Sequence, residues 1–358
     1  MQNINKLLRL QKLYIFFISL VLFIIIFSTT FLNANAFKVL DVEISSPFKL
    51  SFKKSHVIDK GFQTSFSNLL TMITTSGDKN KTKNISLKEL KSMIDSFTIS
   101  DEKFINNEYS AKLETSFNKK KILNFLEKKN IFPSIPIKNK VLLIPILVDG
   151  QTNDIYLFNN IFYKNWNKEI QNYQLLDYLL PSEDLEDLKT LQIISNSIET
   201  YDFASLIEKY DLKDYIISII YKNNDKVKIL SKINLNNSLK INNHQYSKID
   251  LTDEKDFNMI LNNLKNLYED EWKNNNRINT SIKLPLTVLI KSTDYKKIIY
   301  LEEVLSSFDL ISNYYILNFN NKYTQYRIIY NGSPKTFLND MTTRNLDLMI
   351  KNNIWTIK

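Results

Sequence analysis

The longest apolar run of this chain is LYIFFISLVLFIIIF at 13–27, with Ser19 its one polar residue. Beyond it the apolar positions become periodic. Residues 37–46, FKVLDVEISS, read as a strand closed by Pro47. Val57, Ile58, Phe62, Phe66, Leu69, Leu70 and Ile73 recur at three- and four-residue spacing. That stripe predicts one helix over 54–75. Gly61 stands inside it at a propensity cost that close packing would explain. Ser86 with Glu89, and Ile85 with Leu90, make a capping box and a hydrophobic staple, so a helix starts there and runs to Asp95. Tyr109, Ala111, Leu113, Thr115 and Phe117 alternate with period two. They predict a strand paired with 97–105 around Asn106-Asn107. Asn118 caps a helix that ends near Lys129. The order β-α-α-β-β-α predicts an α+β module over 37–135.

Phe132-Pro133-Ser134-Ile135-Pro136 reads as a stiff linker. VLLIPILVDG, 141–150, has the pattern of a central strand covered on both faces. Pro145 within it counts against a central place. A short strand at 155–158, a helix at 160–170 carrying Trp166, a strand at 175–180 and an acidic loop from Pro181 follow. Next come a helix at 199–210, a strand at 213–221 and a strand pair from 225 to 250. A long amphipathic helix at 253–275 carries Phe257, Ile260, Leu261, Leu264, Leu267, Tyr268 and Trp272 on one side. This alternation predicts a mixed α/β sheet domain over 136–278.

The last part reads as strand 281–290, helix 294–308, strands 310–319 and 323–330 around Asn320-Asn321, a short helix from Pro334, and strands 346–350 and 354–357. Its β-α-β-β-α-β order predicts a ferredoxin-like domain over 279–358. The expected fold class is α+β, with an N-terminal signal or anchor helix at 1–36.

Lys6, Arg9 and Lys12 precede the apolar run, and no acid accompanies them. The segment has two readings. Ala34 and Ala36 give the small-x-small form of a signal peptidase site, with Phe37 starting the mature chain. Extended to Leu32, the run reaches about 20 residues, enough to span a bilayer. In both readings the bases stay in the cytoplasm and residues 37–358 cross the membrane. The chain then lies in the inner membrane facing the periplasm, or in the periplasm if cut after Ala36. If uncut, residues 13–32 hold it in the membrane.

Composition removes several kinds of chemistry. The 358 residues include 4 glycines and no cysteine. Gly61, Gly77, Gly150 and Gly332 are too dispersed to build a phosphate-cradling loop, so no nucleotide and no cofactor is expected. Without cysteine there is no thiol nucleophile, Fe–S cluster, disulfide or lipidated N-terminal Cys. The net charge of +9 comes from 47 basic and 38 acidic residues. The bases are scattered and few are Arg, so nucleic acid is not an expected partner. Tyr326 and Tyr330 fall on one strand face, as RNA-stacking aromatics do. The glycine-spaced signature is absent, and packing under a helix explains them.

The densest carboxylate set is Glu183, Asp184, Glu186 and Asp187, just after the strand ending at Leu180, with Asp177 inside that strand. Asp149 closes the other hydrophobic strand. In an α/β sheet the C-terminal edge is where ligands bind. If the two strands are neighbours, Asp149, Asp184 and Asp187 converge. They would then hold Mg²⁺ or Ca²⁺, or flank a glycosidic bond as an acid/base pair. Helix-start electrostatics explains Glu186 and Asp187 equally well. The two histidines are His56, a surface residue in a first helical turn, and His244, in an Asn-Asn-His-Gln hairpin turn. No nucleophile elbow accompanies them. The chain has 19 Tyr and 22 Phe, residue types favoured in interface cores.

Four stretches resemble a proteobacterial family of unknown function, DUF2066. They are HVIDKGFQTSFSNLLTMI (56–73), YSAKLETSFNKKKILNFLEKKNIF (109–132), PSIPIKNKVLLIPILVD (133–149) and LLPSEDLEDLKTL (179–191). The likeness covers about residues 37–235. The tryptophan that the family often carries in the proline-containing link is absent here. The resemblance implies an envelope protein with no assigned activity or catalytic residues. The expected function is therefore binding or scaffolding on the periplasmic side, with a protein or cell-wall partner. The alternative is a carboxylate-dependent cell-wall hydrolase. A third reading is an assembly factor that docks through a sheet edge within 281–358.

Overall fold

The computed structural model describes residues 37–168, 173–279, 282–308, 310–351 and 354–357. The apolar run at 13–27 and the cleavage site after Ala36 lie outside them. No described helix is long and apolar enough to cross a membrane. The described strands form three sheets, and with the helices they make an α+β fold.

The first sheet belongs to the elements β1 (Lys38–Pro47), α1 (Lys54–Ile73), α2 (Leu87–Ser92), β2 (Ile94–Ile105), β3 (Glu108–Phe117) and α3 (Lys119–Lys128). Its order is β1-β3-β2, antiparallel throughout. Helix α1 buries Phe62, Phe66, Leu69, Leu70 and Ile73 against Val39, Val42, Ile44 and Leu113. A Cβ on Gly61 would lie 2.7 Å from Leu113 Cδ2 and 2.8 Å from Ile44 Cγ2. The missing side chain is what lets the helix lie so close to the sheet. The Ser86 hydroxyl accepts the Glu89 N–H at 3.2 Å. The helix it caps ends at Ser92, short of the expected Asp95, because the chain turns into strand at Ile94.

The proline-flanked linker is clamped. Ser134 N–H donates to Ile73 O, Ile135 N–H to Asn276 O, and Ile278 N–H to Pro133 O. Ser134 also forms an antiparallel bridge with Arg277.

The central sheet comes from β4 (Asn139–Asp149), β5 (Ile155–Tyr156), α4 (Ile161–Asn165), β6 (Leu176–Leu179), α5 (Leu185–Ile193), α6 (Ala204–Glu208), β7 (Tyr215–Asn223), β8 (Lys226–Leu235), β9 (Ser238–Ser247) and α7 (Glu254–Asn275). Its order is β5-β4-β7-β8-β9, with β6 also on β4. Strand β4 is covered on both faces. Val141 and Leu143 join the core under α7, and Leu142, Ile144, Ile146 and Val148 join the opposite core with Leu191 and Leu206.

Pro145 is tolerated because of where it sits. On one flank β6 pairs β4 only up to Leu142, and β5 resumes at Leu147. The Pro145 carbonyl points into that gap and accepts from Asn160 Nδ2 at 2.9 Å. A residue's N–H and C=O leave a strand on the same side. The missing N–H therefore costs no ladder bond.

Two sequence readings are corrected here. The stretch after Pro181, expected as a loop, is largely helix α5, because Asp184 caps it and apolar residues such as Leu191 pack inward. The hairpin turn lies at Asn236-Asn237, not around His244. His244 sits exposed within β9, opposite Ile229.

The third sheet comes from β10 (Leu284–Lys291), α8 (Tyr295–Ser307), β11 (Ile311–Phe319), β12 (Tyr323–Tyr330), α9 (Pro334–Thr342), β13 (Leu348–Lys351) and β14 (Ile354–Ile357). Its order is β11-β12-β10-β14-β13, with β14 parallel to β10. Tyr326 and Tyr330 are buried in its core, and their hydroxyls donate to Glu302 Oε1 at 2.6 Å and Asp340 Oδ2 at 2.8 Å.

Candidate functional site

Strands β4, β6 and β7 run parallel. Their C-terminal ends therefore share an edge, the usual place for a ligand in such sheets. There Asp149 of β4 stands in register with Lys222 of β7. A cavity of about 470 Å³ is lined by both, together with Asp225 and Asp250. A second, of about 330 Å³, shares Asp149 and Lys222 and adds Tyr156, Asn160, Leu251 and Thr252. A third, of about 310 Å³, continues past Leu251 and Thr252 to Phe257, Asn258 and Lys265. Shared lining residues join them into one groove of mixed polar and apolar side chains.

Two carboxylates of the groove, Asp149 and Asp250, have local tasks. Asp149 Oδ1 accepts the Gln151 N–H at 2.9 Å, which shapes the turn after β4. Gly150 N–H donates to Lys222 O at 2.8 Å. A Cβ on Gly150 would lie 3.1 Å from that oxygen, so glycine lets the turn rest on β7. Asp250 Oδ1 accepts from the Thr252 hydroxyl at 2.7 Å and the Thr252 N–H at 2.9 Å. These bonds, with a smaller effect of the Lys222 charge, hold its carboxyl below the usual range.

Asp184 and Asp187 are brought together, but around a lysine. Lys209 Nζ lies 2.9 Å from Asp184 Oδ2 and 2.7 Å from Asp187 Oδ1. The hydrogen bond from Lys209, then that from the Glu186 N–H, lowers the Asp184 carboxyl. The Lys209 ammonium is raised in return, by Asp187 first and Asp184 second. Asp184 also caps α5 by accepting the Glu186 N–H at 2.8 Å. It lines a separate cavity of about 510 Å³ with Glu183, Asp154, Tyr156 and Phe158. Asp149 does not line that cavity; Tyr156 lies between the two sets. Among the described residues no group of three or more His, Asp and Glu side chains is placed to hold a metal ion. His56 is exposed near the start of α1.

Sequence reasoning missed Lys209, Lys222, Asp225 and Asp250. It also missed a buried ionic stripe on α7, formed by Lys265, Glu269 and Lys273. Glu269 Oε1 accepts the N–H groups of Leu175 and Leu176 at 2.9 and 2.8 Å. Lys273 Nζ lies 3.9 Å from Glu269 Oε2. Burial pushes the Glu269 carboxyl up and the Lys273 ammonium down. The spacing i, i+4, i+8 with alternating sign was the signal available in the sequence.

No protein-family model matches the chain. No curated protein matches it either.

Proposed function

We propose that the chain is a bacterial envelope protein, carried to or across the inner membrane by residues 13–32, that acts by binding or scaffolding on the periplasmic side. The observation that carries this reading is the N-terminal pattern of Lys6, Arg9 and Lys12 followed by LYIFFISLVLFIIIF. Binding rather than catalysis is supported by the use of the carboxylates: Asp149, Asp184, Asp187 and Asp250 are committed to turns, a cap and an ion pair.

Docking through a sheet edge is supported by β11. It ends the third sheet, carries no charged residue, and exposes Tyr315, Ile316, Leu317 and Phe319. Such an edge takes an extended segment of a partner protein as an added strand. We read the third sheet as a variant of the ferredoxin-like arrangement. The hairpin of β13 and β14 replaces the single closing strand. The resemblance to DUF2066 belongs to the same proposal and brings no activity with it.

Crosslinking in intact cells followed by affinity capture tests the proposal. The wild-type chain should capture a defined protein partner, and Leu317→Lys, which charges the edge, should lose it. Loss of cellular function in a folded Asp184→Ala variant, with capture unchanged, would contradict binding as the primary role.

A further inference from the structure

The end of the first sheet beyond Pro47 has an unusual surface. Phe48 N–H donates to Asn107 O at 2.7 Å, and Phe52 N–H donates to Lys49 O at 2.8 Å. These bonds fix a tight turn at 49–52 and brace it against the hairpin joining β2 and β3. Leu50 occupies the second position of that turn and is fully exposed. Turn positions of this kind usually take polar residues or proline. Phe48 is 49% exposed, Phe104 56% and Ile105 60%. The rings support one another. Phe48 lies 5.0 Å from Phe52 and 5.3 Å from Phe104, and Phe104 lies 5.0 Å from Tyr109, centroid to centroid. The apolar tip is thus held in place by its own packing and by backbone bonds.

Lysines surround it. Lys49, Lys53 and Lys103 are exposed and enter no ion pair among the described residues. Two nearby acids are already matched: Glu102 by Lys54 at 2.7 Å, and Asp101 by Lys112 at 3.2 Å. Glu108 is the remaining exposed acid of the hairpin tip.

We infer that this tip, formed by Phe48, Leu50, Phe104 and Ile105 with Lys49, Lys53 and Lys103, inserts into the headgroup region of an anionic phospholipid membrane. The interleaving of apolar and basic residues selects that occupant. Protein interface cores are depleted of Lys. At a bilayer boundary, apolar side chains enter the acyl margin while Lys stems reach back to the headgroups. Anionic headgroups attract the lysines further. A second copy of the tip would instead oppose lysine to lysine. This contact goes beyond the role proposed for residues 13–32, because it is made by folded residues 48–53 and 103–105.

The chain has no cysteine, so Leu50→Cys gives one labelling position. The full chain would carry an environment-sensitive nitrobenzoxadiazole label there. A control would carry it at Leu185→Cys, an exposed residue of α5. Both would be mixed with vesicles of phosphatidylcholine, with or without phosphatidylglycerol, containing nitroxide-labelled lipid as quencher. We expect a blue shift and lipid quenching of the label at 50 on anionic vesicles, and neither effect at 185. Adding Lys49→Glu and Lys103→Glu should abolish the shift at 50 while the chain still sediments with vesicles through residues 13–32. A label at 50 that stays water-like on vesicles that bind the chain would overturn the inference. So would an equal shift on neutral vesicles, or a lipid-free shift that grows with protein concentration. If the labelled wild type shifts but the double variant no longer sediments, the inference about the tip stands and the anchoring role of residues 13–32 fails.

Discussion

Twelve non-glycine residues among those described have positive φ, and all but Lys248 are Asn or Asp. No described glycine does. Asn and Asp tolerate the left-handed region because their short side chains bond locally to the backbone. The chain therefore places Asn and Asp where the backbone turns left-handed, which is how it manages with 4 glycines. Asn106-Asn107 and Asn236-Asn237 each carry positive φ at both positions. Two-residue type I′ hairpin turns require this. Asn237→Ala should lower stability by about 1 kcal/mol, and Asn237→Gly should not, when unfolding is followed in urea. Equal loss in both would contradict the backbone explanation. The first turn was legible because alternating runs flank it. The second competed with Asn242-Asn243, which carries the same signal. Strand β9 is exposed along most of its length, so no apolar period marks where it begins.

Helix α1 shows an element whose sequence signal and packing agree. Its stripe was readable, and Gly61 is its contact point with β1 and β3. Alanine is the better helix former by about 1 kcal/mol. Even so, Gly61→Ala should lower the melting temperature, because Leu113 and Ile44 must move; overpacking of this kind costs about 1–3 kcal/mol. A higher melting temperature would refute the contact. Helix α7 shows the reverse case. Its apolar side was legible, but the burial of Lys265, Glu269 and Lys273 was not. Only the chain at the start of β6 reveals that this face is covered a second time. Glu269→Ala leaves two N–H groups and a buried ammonium unmatched, and should cost about 3 kcal/mol or more. Glu269→Gln keeps the acceptor oxygen and should cost less. The sign of the pH effect follows from burial. The folded carboxyl holds its proton above the ordinary value of 4.5. The folded state then binds more protons than the unfolded chain, so this group's contribution to stability falls as pH rises through that window. Thermal melts from acidic to neutral pH should show a shallower decline of this component in Glu269→Gln. An unchanged profile would show that Glu269 does not titrate there.

At the scale of the whole molecule, the α+β class and the order of most elements were legible from periodicity and caps. That Asp149 stays apart from Asp184 and Asp187 was not, because it depended on which strand lies beside the end of β4. Strand β5 folds back antiparallel onto Leu147 and Val148. Its Tyr156 then lines both the Asp149 cavity and the Asp184 cavity and stands between them. A two-residue strand carries too little pattern to announce that pairing. The functional account rests on a different part of the chain, the basic and apolar residues before Phe37. Fractionation of intact cells, with mass spectrometry of the N-terminus, tests it most directly. The account predicts a chain that either begins at Phe37 in the periplasm or retains Met1 in the inner membrane. A soluble cytoplasmic chain that keeps Met1 would contradict it.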